Sequence, residues 1–326
     1  MARYNCIFIY FPLFWLFLCA SASLRQMGFV WRAVNTQLWN TIADQIGRAS
    51  GAPFVLRGER SVGGGCINAT HVLEDGGRRW FVKLNDAERL DMFAAEADGL
   101  NEIAQSHTVR VPRPLCQGVV EGQAFLVLEW LDLSGHGAQE LLGRQLAAMH
   151  RVVREEYGWF RDNTIGSTPQ PNEQSTDWME FMCERRLGHQ LDLAVKGGDR
   201  RLHRRGEELL DRMPDLFAGY TPAASLLHGD LWSGNYAVSA AGEPVIFDPA
   251  VYYGDREADL AMTELFGGFS PAFYAAYNEA WPLDPGYTVR KTLYNLYHVL
   301  NHYHMFGGGY ASQAERMIDH LLAELR

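Results

Sequence analysis

The sequence is poor in the features that would set it apart from ordinary globular enzymes. Five cysteines in 326 residues are too few to staple a secreted scaffold. Two of them, Cys6 and Cys19, fall in an atypical N-terminal segment, which leaves Cys66, Cys116 and Cys183 as an odd three. Basic residues are in deficit, with 29 Lys and Arg against 39 Asp and Glu for a net charge of −10. With no basic tract evident, this argues against a nucleic-acid partner, because affinity for a phosphate backbone comes from basic patches. Repeats and low-complexity tracts are absent. The apolar segment 6–20 is shorter than the roughly 20 residues of a spanning helix, and the small-residue run Ala20-Ser21-Ala22-Ser23 follows it. Residues 1–26 therefore read as a secretory leader or as mis-assigned sequence upstream of a true start at Met27, and not as a stable membrane span. The whole chain is 47% hydrophobic and 21% charged, enough for one large domain or for two lobes with separate cores.

What is present sorts into a β-rich half and a helical half. Val30, Val34, Leu38, Ile42 and Ile46 recur every four positions, which predicts an amphipathic helix over 30–46. Short β-prone stretches come next at 53–62, 70–73 and 80–84, the last two joined by Glu74-Asp75-Gly76-Gly77, a hairpin signal because Gly accepts positive φ. A helix over 87–105 carries Leu90, Phe93, Ala97, Leu100 and Ile103 on one face. After Pro112 and Pro114, 115–120 and 125–131 form a second hairpin across Glu121-Gly122. Residues 27–133 are thus expected as a nucleotide-binding N-lobe, a five-stranded antiparallel sheet with one inserted helix. The break at Ser134-Gly135-His136-Gly137 opens a catalytic, substrate-binding C-lobe, 134–326, with Leu142, Leu146 and Met149 on one helical stripe. Further helices are expected at 178–194, 204–213, 271–281, 287–305 and 311–325, with Thr168-Pro169-Gln170-Pro171-Asn172 as an ordered loop.

The chemistry concentrates in His228-Gly229-Asp230-Leu231-Trp232-Ser233-Gly234-Asn235, followed by Val245-Ile246-Phe247-Asp248-Pro249. An Asp, an Asn five positions later and an Asp ending an apolar strand have the spacing of a kinase catalytic loop and metal site. Phosphoryl transfer needs a carboxylate beside the attacking hydroxyl, here Asp230, and hard oxygen ligands for Mg²⁺, here Asn235 and Asp248.

These runs, with Phe247-Asp248-Pro249-Ala250 and Tyr253-Gly254-Asp255-Arg256-Glu257-Ala258-Asp259-Leu260-Ala261-Met262, resemble the fructosamine kinase (ketosamine-3-kinase) family, related to aminoglycoside phosphotransferases and choline kinases. Gly63-Gly64-Gly65-Cys66-Ile67-Asn68, Phe81-Val82-Lys83, Ala95-Glu96-Ala97 and Thr168-Pro169-Gln170-Pro171-Asn172 support the likeness, which covers about residues 30–320. The resemblance implies an α+β, two-lobed protein-kinase-like fold and transfer of the ATP γ-phosphate to the O3 hydroxyl of a fructosamine, a repair of glycated amines. Alternatives from the same residues are a kinase of another small alcohol (an aminoglycoside, a choline-like alcohol or a sugar) and a nucleotide-binding pseudokinase scaffold. ATP as co-substrate points to the cytoplasm.

The same frame gives roles to the remaining site residues. Gly63, Gly64 and Gly65 let backbone N–H groups approach phosphate, with Cys66 and Asn68 completing the loop. Lys83 would pair with phosphates and with Glu96, in preference to Glu102. The backbone of Glu129, Trp130 and Leu131 would meet adenine. Trp232 and His228 are substrate-side candidates, with His228 read also as a brace of the loop, and Trp232 and Trp178 are rings for either the sugar pocket or the core. Asp255 and Asp259 are read as braces, and His298, His302 and His304 as a partly buried aromatic face or a substrate-side wall and not a metal site. Cys66 is either a small loop residue or a redox-sensitive thiol, able to bridge two chains into a disulfide-linked homodimer in place of a monomer.

Overall fold

Alternation along the strands decides which side of the sheet each residue serves. The computed structural model describes residues 36–63, 67–133, 135 and 137–326. Residues 1–26, Val30 and Val34 of the segment expected as a helix over 30–46, and Gly64, Gly65, Cys66, Ser134 and His136 lie outside the described residues. Gln37–Arg326 form one compact unit, and its first helix, α1, begins one residue earlier (Thr36–Ser50).

Strands β1 (Gly58–Ser61), β2 (Ala69–Glu74) and β3 (Arg79–Asp86), helix α2 (Leu90–Gln105), then β4 (Pro114–Val120) and β5 (Gln123–Glu129) succeed one another along the chain. The sheet order is β1-β2-β3-β5-β4, antiparallel throughout, as the sequence predicts. Val82 and Leu84 of β3, with Phe125 and Val127 of β5, bury against Leu38, Ile42 and Ile46 of α1. The intervening Lys83 turns to the opposite face, where Leu126 and Leu128 pack with Phe93, Ala97, Leu100 and Ile103 of α2. Lys83 stands opposite Thr70 on one side and Leu126 on the other.

The core is not divided where the lobes were expected to part. The face of the sheet that carries α2 belongs to the same contiguous cluster as Leu142, Leu146 and Met149 of α3 (Gln139–His150) and the helical half beyond. Only the α1 face of the sheet forms a cluster of its own.

The helical half contains α4, in which Trp178–Phe181, Met182–Leu187 and Gly188–Lys196 run on from one another, the middle segment wound as a π-helix. Then come α5 (Arg200–Arg212), α6 (Glu257–Leu265), α7 (Pro271–Ala280), α8 (Tyr287–Phe306) and α9 (Tyr310–Glu324). Helix α6 was not anticipated, nor were several strands: β6 (Val153–Arg154), β7 (Asn163–Ile165), β8 (Thr168–Gln170), β9 (Ala224–Leu227), β10 (Tyr236–Val238) and β12 (Tyr252–Gly254); β11 (Pro244–Ile246) is the apolar strand expected just before Asp248. Strands this short present no repeat to read. Three residues of the stretch expected as a loop at 168–172 are strand β8, paired with β7. Helix α5 also carries a dense basic run where no basic tract was expected. Its Arg201 pairs with Glu315, and Arg205 with Asp319 and Glu208.

Candidate active site

Hairpin geometry brings the second Asp to the first. Strand β9 delivers the chain to His228-Gly229-Asp230, a 3₁₀ turn at Ser233–Asn235 comes next, and β10 and β11 pair so that Tyr236 stands opposite Ile246. The Phe247 amide donates to the Asn235 carbonyl at 3.1 Å, and Asp248 comes next. The stretch from Asn235 to Asp248 is therefore the length of one hairpin. Asn235 Nδ2 donates to the Asp230 carbonyl at 2.9 Å and to its carboxylate at 3.2 Å.

The loop is braced from beneath. Both oxygens of buried Asp259, on α6, accept backbone amides, His228 N at 2.7 Å and Gly229 N at 2.8 Å. His150 of α3 lies 3.1 Å from the same carboxylate. Gly229 has φ +81°, and a Cβ there would lie 2.1 Å from the Ala250 carbonyl. Gly234 serves a second close approach, because its missing Cβ leaves room for the Trp232 indole, 2.2 Å from where that atom would sit. Burial works against the charge of the Asp259 carboxylate, yet the His150 ring, the His228 ring and the Gly229 amide hold it below the usual range.

His228 is fully buried. Its Nε2 donates to the Phe247 carbonyl at 3.0 Å and its Nδ1 accepts from the Asp230 amide at 3.2 Å. Both nitrogens are occupied and burial lowers its pKa, so it braces the loop and offers nothing to a substrate. Trp178 is likewise core, packed among Tyr157, Phe181 and Tyr294.

From the sheet side, Lys83 Nζ reaches Glu96 Oε1 and Asp248 Oδ1, each at 2.6 Å. Glu96 lies one turn from Phe93 and from Leu100 on the inner face of α2. Glu102 is engaged elsewhere, with Tyr253 and Arg154. Burial opposes the lysine charge, but the two carboxylates outweigh it and Lys83 is held above its ordinary range. Asp248 adopts φ +57°, a left-handed conformation that costs an L-residue about 1 kcal/mol. The Ala250 amide, donating to the His228 carbonyl at 2.8 Å, fixes the chain just beyond it. Asp230 is pushed well above the usual carboxylate range by burial and then by the charge of Asp248, against the hydrogen bond from Asn235.

These groups meet in one cleft of about 190 Å³, bordered by Asn68, Lys83, Glu96, Asp230, Trp232, Asn235 and Asp248. Asn68 is set by Asn85 Nδ2 at 2.7 Å. Gly63 is exposed, whereas Gly64, Gly65 and Cys66 lie outside the described residues. Glu129, Trp130 and Leu131 do not border this cleft. Glu129 is paired with Arg110 at 2.5 Å, and Trp130 lies under the guanidinium groups of Arg60 and Arg79. Among the described residues, His298, His302 and His304 form no metal cluster.

Sequence reasoning missed the floor. Asn163, Thr164 and Gly166 of the β7–β8 hairpin border the cleft. Asn163 donates to the Val251 carbonyl at 2.8 Å and Gln170 to the Ala250 carbonyl at 3.1 Å, holding the segment after Asp248. Asn172 Nδ2 donates to Asn163 Oδ1 at 2.9 Å and its own oxygen accepts from Arg186 at 2.6 Å. Arg186 sits in the π-helical segment, 1% exposed, its guanidinium 4.0 Å from the Tyr252 ring. The cluster of Asn and Gln at 163–172 was the available signal, since buried amides must find partners.

The fructosamine kinase family model matches residues 38–324. A protein of Synechocystis named a probable ketoamine kinase is 49% identical over 87% of this chain and 97% of its own length. The chloroplastic protein-ribulosamine 3-kinase of Arabidopsis thaliana is 46% identical over 82% and 83%. A solved structure of a candidate fructosamine-3-kinase from Haemophilus somnus superposes with TM-score 0.80 at 30% identity, covering 87% of this chain and 98% of that one. An aminoglycoside phosphotransferase (TM-score 0.57, 16% identity, 88% and 98% covered) and a choline kinase from Streptococcus pneumoniae (0.57, 14%, 88% and 100%) share the fold.

Proposed function

The chain belongs to the fructosamine kinase family, and from that premise we propose that it transfers the γ-phosphate of ATP to the O3 hydroxyl of a ketosamine. The observation that carries the reading is the bridge from Lys83 to both Glu96 and Asp248, closed over Asp230 and Asn235 in the same cleft. A pseudokinase has no need of that full set.

Asp230 orients the acceptor hydroxyl and takes its proton as the oxygen attacks the γ-phosphorus. The bond to the bridging oxygen breaks and ADP leaves, so no covalent enzyme intermediate is needed. The raised pKa of Asp230 suits a group that must accept a proton near neutral pH. Lys83 pairs with the phosphates, Glu96 keeps the ammonium in place, and the amides around residues 63–68 cradle the nucleotide. The donor set fits Mg²⁺, which takes one or two carboxylate or amide oxygens and leaves other positions for phosphate and water. Asp248 has one oxygen not engaged by Lys83 and a side chain 46% exposed to the cleft, and Asn235 is its neighbour. Bound there by Asp248 and Asn235, the ion would neutralise phosphate charge.

Among the described residues no helix is long and apolar enough to cross a membrane. The need for ATP favours a cytoplasmic setting. The test is turnover of Mg-ATP with fructosyl-lysine and ribulosyl-lysine against an aminoglycoside panel, with ³¹P NMR locating the phosphate. Phosphorylation of O3 in the ketosamines alone is expected. Turnover of the panel, or a phosphate on another hydroxyl, overturns it.

A further inference from the structure

Beneath the floor of the cleft lies a buried arginine that the reaction does not touch. Arg186 occurs where α4 is wound as a π-helix, with the Gly188 amide donating to the Cys183 carbonyl five residues back. Gly188 suits that turn, since a Cβ there would lie 2.0 Å from the same carbonyl. Single π turns inside α-helices occur frequently at functional sites. The Arg186 guanidinium lies 4.5 Å from the Phe181 ring and 4.0 Å from the Tyr252 ring. Its Nη1 donates to the Pro171 and Arg185 carbonyls at 2.6 and 2.9 Å, and its Nη2 to Asn172 Oδ1 at 2.6 Å. A buried cation that meets only neutral acceptors costs stability, so packing alone does not account for an arginine here.

What an arginine supplies is direction. Its guanidinium donates and never accepts, whereas a side-chain amide can present either end. With Arg186 on its oxygen, Asn172 must turn Nδ2 the other way, and that nitrogen donates to Asn163 Oδ1 at 2.9 Å. Gln170 Nε2 donates to the same oxygen at 2.8 Å and to the Ala250 carbonyl at 3.1 Å. Asn163 is thereby left with Nδ2 for the Val251 carbonyl, at 2.8 Å. The Tyr297 hydroxyl at the far end, 2.7 Å from Gln170 Oε1, can donate or accept and sets no direction. Only Pro249 separates Ala250 from Asp248, and its ring fixes φ, so where these two carbonyls are held decides where the Asp248 carboxylate stands.

We propose that Arg186 is a positioning residue, which fixes the direction of the amide network running through Asn172, Asn163 and Gln170 and thereby places Asp248 for the metal that accompanies ATP. This rests on the reading of Asp248 as a Mg²⁺ ligand given above. Without a donor at its head the network can reverse. Asn163 then presents its oxygen to the Val251 carbonyl, the two repel, and the segment that carries Asp248 is released. Lys83 takes no part in the network, its ammonium being held by Glu96 as well as by Asp248. Binding of ATP without metal should therefore survive the reversal, and only the share contributed by Mg²⁺ should fall.

The experiment is calorimetric titration of the full chain with ATP, once in EDTA and once in excess Mg²⁺, the ratio of the two Kd values being the gain that the metal gives. In wild type Mg²⁺ is expected to tighten binding. Arg186→Met, which keeps an unbranched stem beside the Tyr252 ring, is expected to cut that gain about tenfold and leave the Kd in EDTA within about twofold, the lower end of the usual cost of removing a group behind a metal ligand. Arg186→Lys still only donates and is expected to keep more of the gain than Arg186→Met. Asn172→Asp covers the case in which Arg186→Met fails to fold, because it gives Arg186 a counter-charge. Its carboxylate cannot donate to Asn163, which must turn its nitrogen toward residue 172 and its oxygen toward Val251, so the same loss of gain is expected. A gain unchanged in Arg186→Met and Asn172→Asp, or one lost together with ATP affinity in EDTA, overturns the positioning role and leaves the ketosamine reading standing. A wild type whose ATP binding is indifferent to Mg²⁺ overturns instead the reading of Asp248 on which the proposal rests.

Discussion

On the loop wall of the cleft, Asp230 is fixed by backbone and by buried braces, with Asp259 accepting the amides of His228 and Gly229 and Asn235 donating to Asp230 itself. On the sheet wall, the Lys83 ammonium is held by two charged partners, shared between Glu96 in its own half and Asp248 across the cleft. The loop wall is thus preformed. On the proposed function the sheet wall would act as a clamp whose partners redistribute when phosphate arrives, because one oxygen of Asp248 is already taken by the lysine. The proposed function would then divide between the walls, with the hydroxyl positioned by the loop and the nucleotide gripped by the sheet.

The largest expected effect tests that separation. Asp248→Ala removes activity together with the thermal stabilisation given by Mg-ATP, whereas Asp230→Asn lowers kcat by roughly a hundredfold or more and keeps that stabilisation. Thermal shift and turnover on the two variants check it. Loss of the shift in Asp230→Asn would mean the walls act as one unit.

A smaller effect sharpens the contrast between the braced loop and the separate α1 face of the sheet. Asp259→Asn leaves the amides and His150 imperfectly partnered and should cost about 3 kcal/mol of stability, the scale for breaking a buried pair, and it should lower kcat in the protein that remains folded. Ile42→Ala, in the α1 cluster, should cost a similar amount, about 3 kcal/mol, with kcat unchanged. Urea unfolding alongside single-temperature kinetics distinguishes the two.

The smallest effect is one of pH. Because burial and Asp248 raise the pKa of Asp230, the folded protein holds that proton more tightly than the unfolded chain. Its contribution to stability therefore falls as pH rises from the ordinary carboxylate range through the raised value. Asp230→Asn escapes that loss, so its Tm should exceed that of wild type above this window and converge with it at lower pH. In wild type, kcat should rise over the same window as the base loses its proton. A Tm difference independent of pH would show that Asp230 is not perturbed.

The sequence by itself determined the sheet and the identities at the centre of the site. Period-two alternation separates Val82 and Leu84 from Lys83, and the Asp230, Asn235 and Asp248 spacing is local, closed by a single hairpin that the chain makes with its neighbours. It also set Glu96, because four-residue periodicity in α2 places it between Phe93 and Leu100 on the inner face. Only the tertiary structure decided that Lys83 is shared with Asp248, 165 positions away, that His228 faces inward, and that Arg186, Asn172, Asn163 and Gln170 support the floor. Strands of three residues and buried amides carry no periodic signal, and their partners are chosen by contacts between segments far apart in the chain. The cluster that runs from the α2 face into the helical half has the same origin: α2 covers one face of the sheet locally, but which surface lies beyond that face is fixed only when the helical half packs against it.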